Sequence, residues 1–437
     1  MIASDPRRDP ASPREATLDV GEFDSHGTAR SIFNGRSIEV EHAIPGERVE
    51  ALVYGRRRRW ARIVDIPSPA PDRVPAPCPH FHDGCGGCPW QMVDIQSQLS
   101  RKLENVKTQF TDAGVAVDIR GVQTETDPWR YRMTAGLSVG RQAGFRRRGT
   151  QSIVAVTDCL ISHPLIGRMA SVLNEAIESE GIPNYHGDVS LEVRVVDREE
   201  DAGLHTCIVP SPGSRHASID AILPLARLIA GLETTVGVLY RHNQDLPQLL
   251  YGESVGNLSV SGHSFALSAA TFFQTNLVLL PALLHNVVAA AEARPTDTVV
   301  DVYGGVGIFG LLLAPSVQRV VEIEIDPVGI ECARRSAQDQ GLTNVDFLSG
   351  TAESILSEVG NANIVVVDPP RAGLTPKVIQ AIGVMRPERI LYVSCLAKSL
   401  ARDLVSFGEF GYTSSGIDLF DFYPQTPHVE LFTLLRR

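Results

Sequence analysis

From Thr298 onward, strand-like runs alternate with helical ones, and this alternation restricts the fold more than any other feature of the chain. Thr298 to Tyr303, Arg319 to Ile325, Ile364 to Asp368 and Ile390 to Ser394 read as strands separated by helical stretches. Such a pattern implies a mostly parallel sheet with helices on both faces, an α/β class. Open sheets of this class bind ligands in the crevice outside the carboxyl ends of their strands. The residues that close these four runs are therefore the first candidates for chemistry.

The first strand runs into Asp301-Val302-Tyr303-Gly304-Gly305-Val306-Gly307, followed by a helical stretch from Ile308 to Leu313. The glycines permit a tight turn and close approach of a ligand to the backbone. Glu324 ends the next strand about twenty residues on, where a carboxylate can accept both hydroxyls of an adenosine ribose. Gly305 to Gly310 also matches G-x-G-x-x-G, so the loop alone says only that the cofactor carries adenosine. The motifs downstream favour S-adenosylmethionine over a dinucleotide.

Those motifs begin with Asp368-Pro369-Pro370-Arg371. Two successive prolines fix φ and hold the carboxylate and guanidinium in a set relation at the sheet edge. Cys395 closes the following strand and faces the same crevice, which offers a thiolate to substrate. Near the C-terminus, His428-Val429-Glu430 places a candidate base just before a last strand, Leu431 to Leu435. A buried cysteine alone is more often inert, and a lone glutamate more often a solvated acid. Their arrival together with Asp-Pro-Pro-Arg points to covalent catalysis.

The N-terminal part is different. Thr17 to Ile66 reads as short alternating strands cut by turns such as Asn34-Gly35 and Pro45-Gly46, which predicts a small β-barrel. Its run Arg56-Arg57-Arg58-Arg59-Trp60 suits phosphate contact and base stacking. A proline-rich linker, residues 67–79, follows. Ile95, Leu99, Leu103, Val106 and Phe110 then recur at helical spacing, which predicts an amphipathic helix over 94–111. Residues 129–258 read as mixed α+β. Cys78, Cys85 and Cys88, with distant Cys159, form a four-thiolate set that suits either zinc or a [4Fe-4S] cluster. Cys207 and Cys332 belong to no motif and read as core.

The formal charge of −11 argues against a uniformly basic surface. Residues 1–150 nevertheless carry 22 basic against 19 acidic side chains, so a polyanion should meet the N-terminal third first. Seven cysteines are too few and too unevenly spaced for a disulfide scaffold. No stretch has the length and apolarity to span a bilayer, and the polar N-terminus lacks the apolar centre of a secretory signal, so a cytoplasmic protein with a disordered leader over 1–14 is expected.

Taken in order, the barrel, Cys85-Gly86-Gly87-Cys88, Phe272-Phe273-Gln274-Thr275-Asn276, the Asp301 to Gly307 loop, Asp368 to Arg371, Ser394-Cys395 with Arg402-Asp403, and His428 to Glu430 resemble the RNA uracil-5 methyltransferases of ribosomal and transfer RNA. The resemblance covers nearly the whole chain. It implies a TRAM-type OB-like barrel over 15–67, an iron-sulfur-bearing α+β middle domain over 75–260 whose helix over 94–111 is expected to pack on the catalytic domain, and a Rossmann-like S-adenosylmethionine methyltransferase domain over 261–437. It implies that Cys395 adds to uracil C6 and that Glu430 removes the C5 proton. Gln274, Tyr303, Glu324 and Asp368 are expected to contact the cofactor or the neighbouring uracil. Cys78, Cys85, Cys88 and Cys159 are expected to hold a [4Fe-4S] cluster, and ribosomal RNA is the expected substrate, with transfer RNA the alternative.

The sequence departs from the family at Gly304, where cysteine is common, at Leu396-Ala397, where Asn-Pro is usual, and at Met133, where Asn is usual. Two rival readings follow: an exocyclic amino-group methyltransferase, which needs no cysteine, and a noncatalytic RNA-binding factor of the same fold.

Overall fold

The computed structural model describes residues 13–55, 59–199 and 201–437. The expected leader falls outside these residues except at Pro13 and Arg14, and Arg14 already begins a strand. Arg56, Arg57 and Arg58 of the basic run also lie outside them. Among the described residues, no helix is long and apolar enough to cross a membrane.

Strands β1 (Arg14–Phe23), β2 (Ala29–Phe33), β3 (Arg36–Glu41), β4 (Arg48–Tyr54) and β5 (Trp60–Ser68) close into a barrel in the order β1-β2-β3-β5-β4. Alternate residues Leu18, Val20, Ile38, Val40, Val49, Ala51 and Val53 fill it, as a period of two requires. Asn34 and Gly35, both at positive φ, make the tight β2–β3 turn that their sequence announced.

A short helix α1 (Pro79–His82) leads to α2 (Ile95–Asp112), whose first turn is capped by Asp94 Oδ1 accepting from Gln96 N and Ser97 N. Val106 and Phe110 pack into a core shared with the C-terminal sheet. The same face of α2 buries Gln98 and Lys102, which the apolar spacing did not reveal. Next comes β6 (Ile119–Gln123).

The middle sheet contains β7 (Thr134–Val139), β8 (Ala143–Arg146), β9 (Ile153–Ala155), β10 (Val189–Asp197), β11 (Ala202–Pro210), β12 (Thr235–Tyr240) and β13 (Gln248–Gly252), in the order β13-β12-β11-β10-β7-β8-β9. The hairpin β14 (Gly256–Val260) and β15 (His263–Leu267) joins it through β10. Helices α3 (Pro164–Glu178) and α4 (Ile219–Ala230) supply buried side chains to its core.

Helix α5 (Leu280–Ala291) opens the C-terminal unit. Its strands are β16 (Thr298–Val302), β17 (Arg319–Glu324), β18 (Val345–Ser349), β19 (Ile364–Val367), β20 (Arg389–Ser394), β21 (Thr413–Phe420) and β22 (Glu430–Arg436). The order is β18-β17-β16-β19-β20-β22-β21-β6, parallel from β18 to β20, with β22 antiparallel to both neighbours. Helices α6 (Ile308–Leu313), α7 (Pro327–Asp339), α8 (Ala352–Ile355), α9 (Pro376–Met385) and α10 (Ala397–Gly408) connect the strands. Val299, Val366 and Leu391 face one core while Val300, Val365 and Ile390 face the other, so the sheet is apolar on both sides.

Two topological details correct the expected domain limits. The boundary at 260/261 falls inside the β14–β15 hairpin, and β6 of the 75–260 segment pairs parallel to β21; α2, the helix expected over 94–111, packs against α10 of the C-terminal unit.

Candidate active site

Parallel strands all end on the same side, which brings Tyr303, Glu324, Asp368 and Cys395 to one edge of the sheet. The antiparallel β22 starts at that edge. Ser394 pairs with Leu431, and continuing that register by one residue sets Cys395 opposite Glu430. The two expected reacting residues, 35 positions apart in sequence, are therefore neighbours.

Cys395 stands in a turn between β20 and α10, half-buried, with Ser394 Oγ accepting from Leu396 N at 3.3 Å. Ala397 takes the first helical position, where proline is favoured without being required, so the departure at Leu396-Ala397 leaves the turn intact. Burial, with the charges of Glu430 and Asp368 behind it, pushes the Cys395 thiol up to about 11. Arg371 pulls the other way and is outweighed. Glu430 is fully buried with Oε1 unpartnered. Burial and the neighbouring Asp368 hold its carboxyl well above the usual range.

The side of the site expected to take adenosine is built on backbone donors. Glu324 Oε2 accepts from Gly305 N at 2.9 Å and Oε1 from Asp326 N at 2.7 Å, which fixes its carboxylate beside the glycine loop. Tyr303 takes a left-handed conformation, φ 66°, as do Gly305 and Gly307, a strained geometry typical of ligand loops. Gln274 Nε2 donates to Asp368 Oδ2 at 3.1 Å, leaving Gln274 Oε1 buried and unpartnered. Burial raises both Asp301 and Asp368 to about 7.

Glu322, beneath the loop, was not foreseen. Its carboxyl is buried beside Asp301, and burial, then the charge of Asp301 and a hydrogen bond shared with it, pushes it well above the usual range. A Cβ on Gly304 would run into Glu322 Oε2, and one on Gly310 into Oε1. Glycine at 304 is thus the partner of an acid at 322. Alternation along β17 was the available signal, since it turns Glu322 toward the loop while Val321 and Ile323 face the opposite core.

A groove of about 580 Å³ leads to Cys395. Arg371, Cys395 and His428 form one wall, and Asp24 of the barrel with Asn105 and Gln109 of α2 form another. Arg371 Nη2 donates to His428 Nδ1 at 3.0 Å. Burial, then Arg371, lowers His428 to about 4, which leaves its ring neutral and able to accept that bond.

The four expected cluster cysteines also meet. Cys78, Cys85, Cys88 and Cys159 line one enclosed cavity with about 30 Å³ of free space. Burial first, then the neighbouring thiols, raises Cys85 to about 11, and burial raises Cys88 further. A cationic centre would relieve both effects, so the donor set fits a thiolate-bound group. Among the described residues, no three Cys, His, Asp or Glu side chains are already drawn together as a single-ion site. Arg146, Arg147 and Arg148 border this region: Gly86 N donates to Arg146 O and Arg148 N to Gly84 O. They line an open groove of about 610 Å³.

Comparison with known proteins agrees with this geometry. Residues 354–437 match the family described as tRNA (Uracil-5-)-methyltransferase. An RNA methyltransferase of Caldanaerobacter subterraneus is 30% identical over 96% of this chain and 98% of its own length. One of Gloeobacter violaceus is 31% identical over 94% and 93%. The tRNA (uracil-54, C5)-methyltransferase of Pyrococcus abyssi, solved with S-adenosyl-L-homocysteine, superposes with a TM-score of 0.72 at 22% identity, over 96% of this chain and all of its own, a likeness of fold. With such identity across nearly the full length of both chains, the protein belongs to the RNA uracil-5 methyltransferase family.

Proposed function

We propose that this S-adenosylmethionine-dependent RNA methyltransferase methylates uridine at C5 through a covalent adduct with Cys395. The observation that carries the reading is the register of β20 against β22, which sets Cys395, a residue of the groove wall, opposite the buried Glu430. Uracil C5 is too weak a nucleophile to take a methyl group unaided, and adding sulfur at C6 divides the reaction into easier steps.

The Cys395 thiol gives its proton to water in the open groove as the substrate enters, and the sulfur bonds to C6. The electron pair of the C5–C6 double bond moves toward C5 and the C4 carbonyl. S-adenosylmethionine supplies an electrophilic methyl on a positive sulfonium. C5 would take that methyl as the methyl–sulfonium bond breaks and its electron pair stays on the sulfur, which releases S-adenosylhomocysteine, and Glu430, once ionised, would remove the C5 hydrogen. The C6–S bond breaks, and its electrons return to Cys395 as thiolate. Glu324 would hold the ribose of the cofactor, Tyr303 and Asp368 its neighbourhood, and Gln274 would bridge toward the uracil. The surplus of buried acid at this edge suits a cofactor that carries positive charge.

Around this centre, residues 15–67 act as a TRAM-type RNA-binding barrel and the middle unit carries a structural [4Fe-4S] cluster on Cys78, Cys85, Cys88 and Cys159. Iron and acid-labile sulfide in anaerobically prepared protein test the cluster against zinc. Arg146 to Arg148 contact phosphates, while the unstacked uridine carries specificity. A cytoplasmic site of action is part of the same reading.

Large-subunit ribosomal RNA is the first substrate reading. Transfer RNA is the second, favoured by the Pyrococcus abyssi tRNA enzyme, whose fold match spans the barrel as well. Mapping 5-methyluridine in RNA from cells with and without the gene separates the two. Incubation with 5-fluorouridine RNA tests the mechanism: a complex stable to denaturation should form, and Cys395→Ala should abolish it. A methylated exocyclic amine, or cofactor binding with no methyl transfer to any cellular RNA, would instead support the rival readings.

A further inference from the structure

Glu430 is the first residue of β22, and with Oε1 unpartnered its place depends on how the backbone enters that strand. The segment leading in, 421–428, is held from outside the sheet by α2. Lys102 Nζ donates to Asp421 Oδ1 at 2.5 Å and to Tyr423 O at 3.0 Å, and the two charged side chains are 0% and 1% exposed. One turn earlier, Gln98 Nε2 donates to Gln425 Oε1 at 2.9 Å and Gln98 Oε1 accepts from Gln425 N at 2.8 Å. Gln425 itself sits at φ 69°, a left-handed conformation that needs such support.

Further bonds converge on the same few residues. Trp90 N donates to Gln425 O, Tyr131 OH to Pro424 O, and Asn276 Nδ2 to Phe422 O. Trp90 Nε1 also donates to Gly27 O of the barrel. A buried ion pair is a weak source of stability, because apolar residues of similar volume do as well. A lysine buried to hold one loop therefore points to a need for exact placement.

We propose that Lys102, assisted by Gln98, is a positioning residue for methyl transfer, fixing segment 421–428 so that Glu430 stands against C5 of the uridine. The proposal rests on the Cys395–Glu430 reading above. It predicts a defect in the step that Glu430 performs, with cofactor binding spared, since Glu324 and the glycine loop lie on other strands.

The test compares Glu430→Gln, Lys102→Met and the neutral pair K102M/D421N in three measurements: S-adenosylmethionine affinity by calorimetry, turnover on uridine RNA, and RNA–protein complex on denaturing gels. Glu430→Gln should trap a methylated complex on ordinary uridine RNA. Lys102→Met should trap the same complex, with kcat lowered by about a hundredfold, the cost of misplacing a reacting group by roughly 1 Å, and cofactor affinity within about twofold of the parent.

Wild-type turnover in Lys102→Met, or a loss that follows only the folded fraction without trapped complex, overturns the proposal. K102M/D421N leaves no unpaired charge and carries the same test if Lys102→Met does not fold; loss of fold in both assigns the pair to stability alone. If Glu430→Gln traps nothing, the covalent reading beneath the proposal fails first.

Discussion

The two ends of the C-terminal sheet treat buried charge in opposite ways. At the amino end, Arg389 and Asp297 are each 2% exposed and bonded at 2.9 Å, and Arg389 Nη1 also donates to Ala291 O and Glu292 O at the end of α5. At the carboxyl end, the Lys102–Asp421 pair apart, Asp301, Glu322 and Glu430 are buried with no basic side chain among the described residues bonded to them. The strands and cores are shared, so the contrast does not come from the fold. The Arg389–Asp297 pair serves architecture, whereas acid left without a cation is arranged for something that arrives later.

Breaking the carboxyl end should cost activity and spare stability. Cys395→Ala is expected to lower methyl transfer by roughly 10⁴-fold or more, as loss of a nucleophile does, with the thermal midpoint unchanged in calorimetry. Breaking the amino end should do the reverse. Arg389→Met strands Asp297 and is expected to cost about 3–5 kcal/mol in urea unfolding, while kcat per folded molecule stays at the parent value.

Smaller changes sharpen the contrast. Glu324→Ala should weaken S-adenosylmethionine binding by about 1.5–3 kcal/mol, the worth of hydrogen bonds to a charged group, as calorimetric titration would show. The acids themselves give the gentlest test. Asp301 and Asp368 are raised from ordinary carboxylate values to about 7, so the folded chain holds protons that the unfolded chain releases. Stability of the free protein should therefore be greatest below about pH 4 on their account and decline as pH rises to about 7. Saturating cofactor should flatten that decline in denaturant titrations across the same range.

Much of this arrangement was legible in the chain. Alternation from Thr298 located the parallel strands, and the motifs ending them named Glu324, Asp368 and Cys395. Glu430 was readable too, but its pairing with Cys395 needed the register of β22, which no local pattern encodes. Other features left no signal. β6 is a short, partly exposed edge strand without a clean alternation, so its place in the C-terminal sheet was hidden. Gln98 and Lys102 interrupt an apolar face and read as solvated, because nothing nearby shows that Gln425 and Asp421 will meet them. Glu322 looked like the polar face of an ordinary strand until Gly304 and Gly310 were found to make room for it.

The pairing of β6 with β21 also governs how this protein is born. Arg120 on the first contacts Asp418 on the second, 298 residues later. At ribosomal speeds of about 5–20 residues per second, the early strand emerges roughly 15–60 s before its neighbour exists. Throughout that interval its hydrogen-bonding edge stands open in the nascent polypeptide. The sheet that will do the chemistry is therefore the last to be sealed, and chaperone attendance during translation should matter more for it than for the barrel, whose five strands are complete within the first 68 residues.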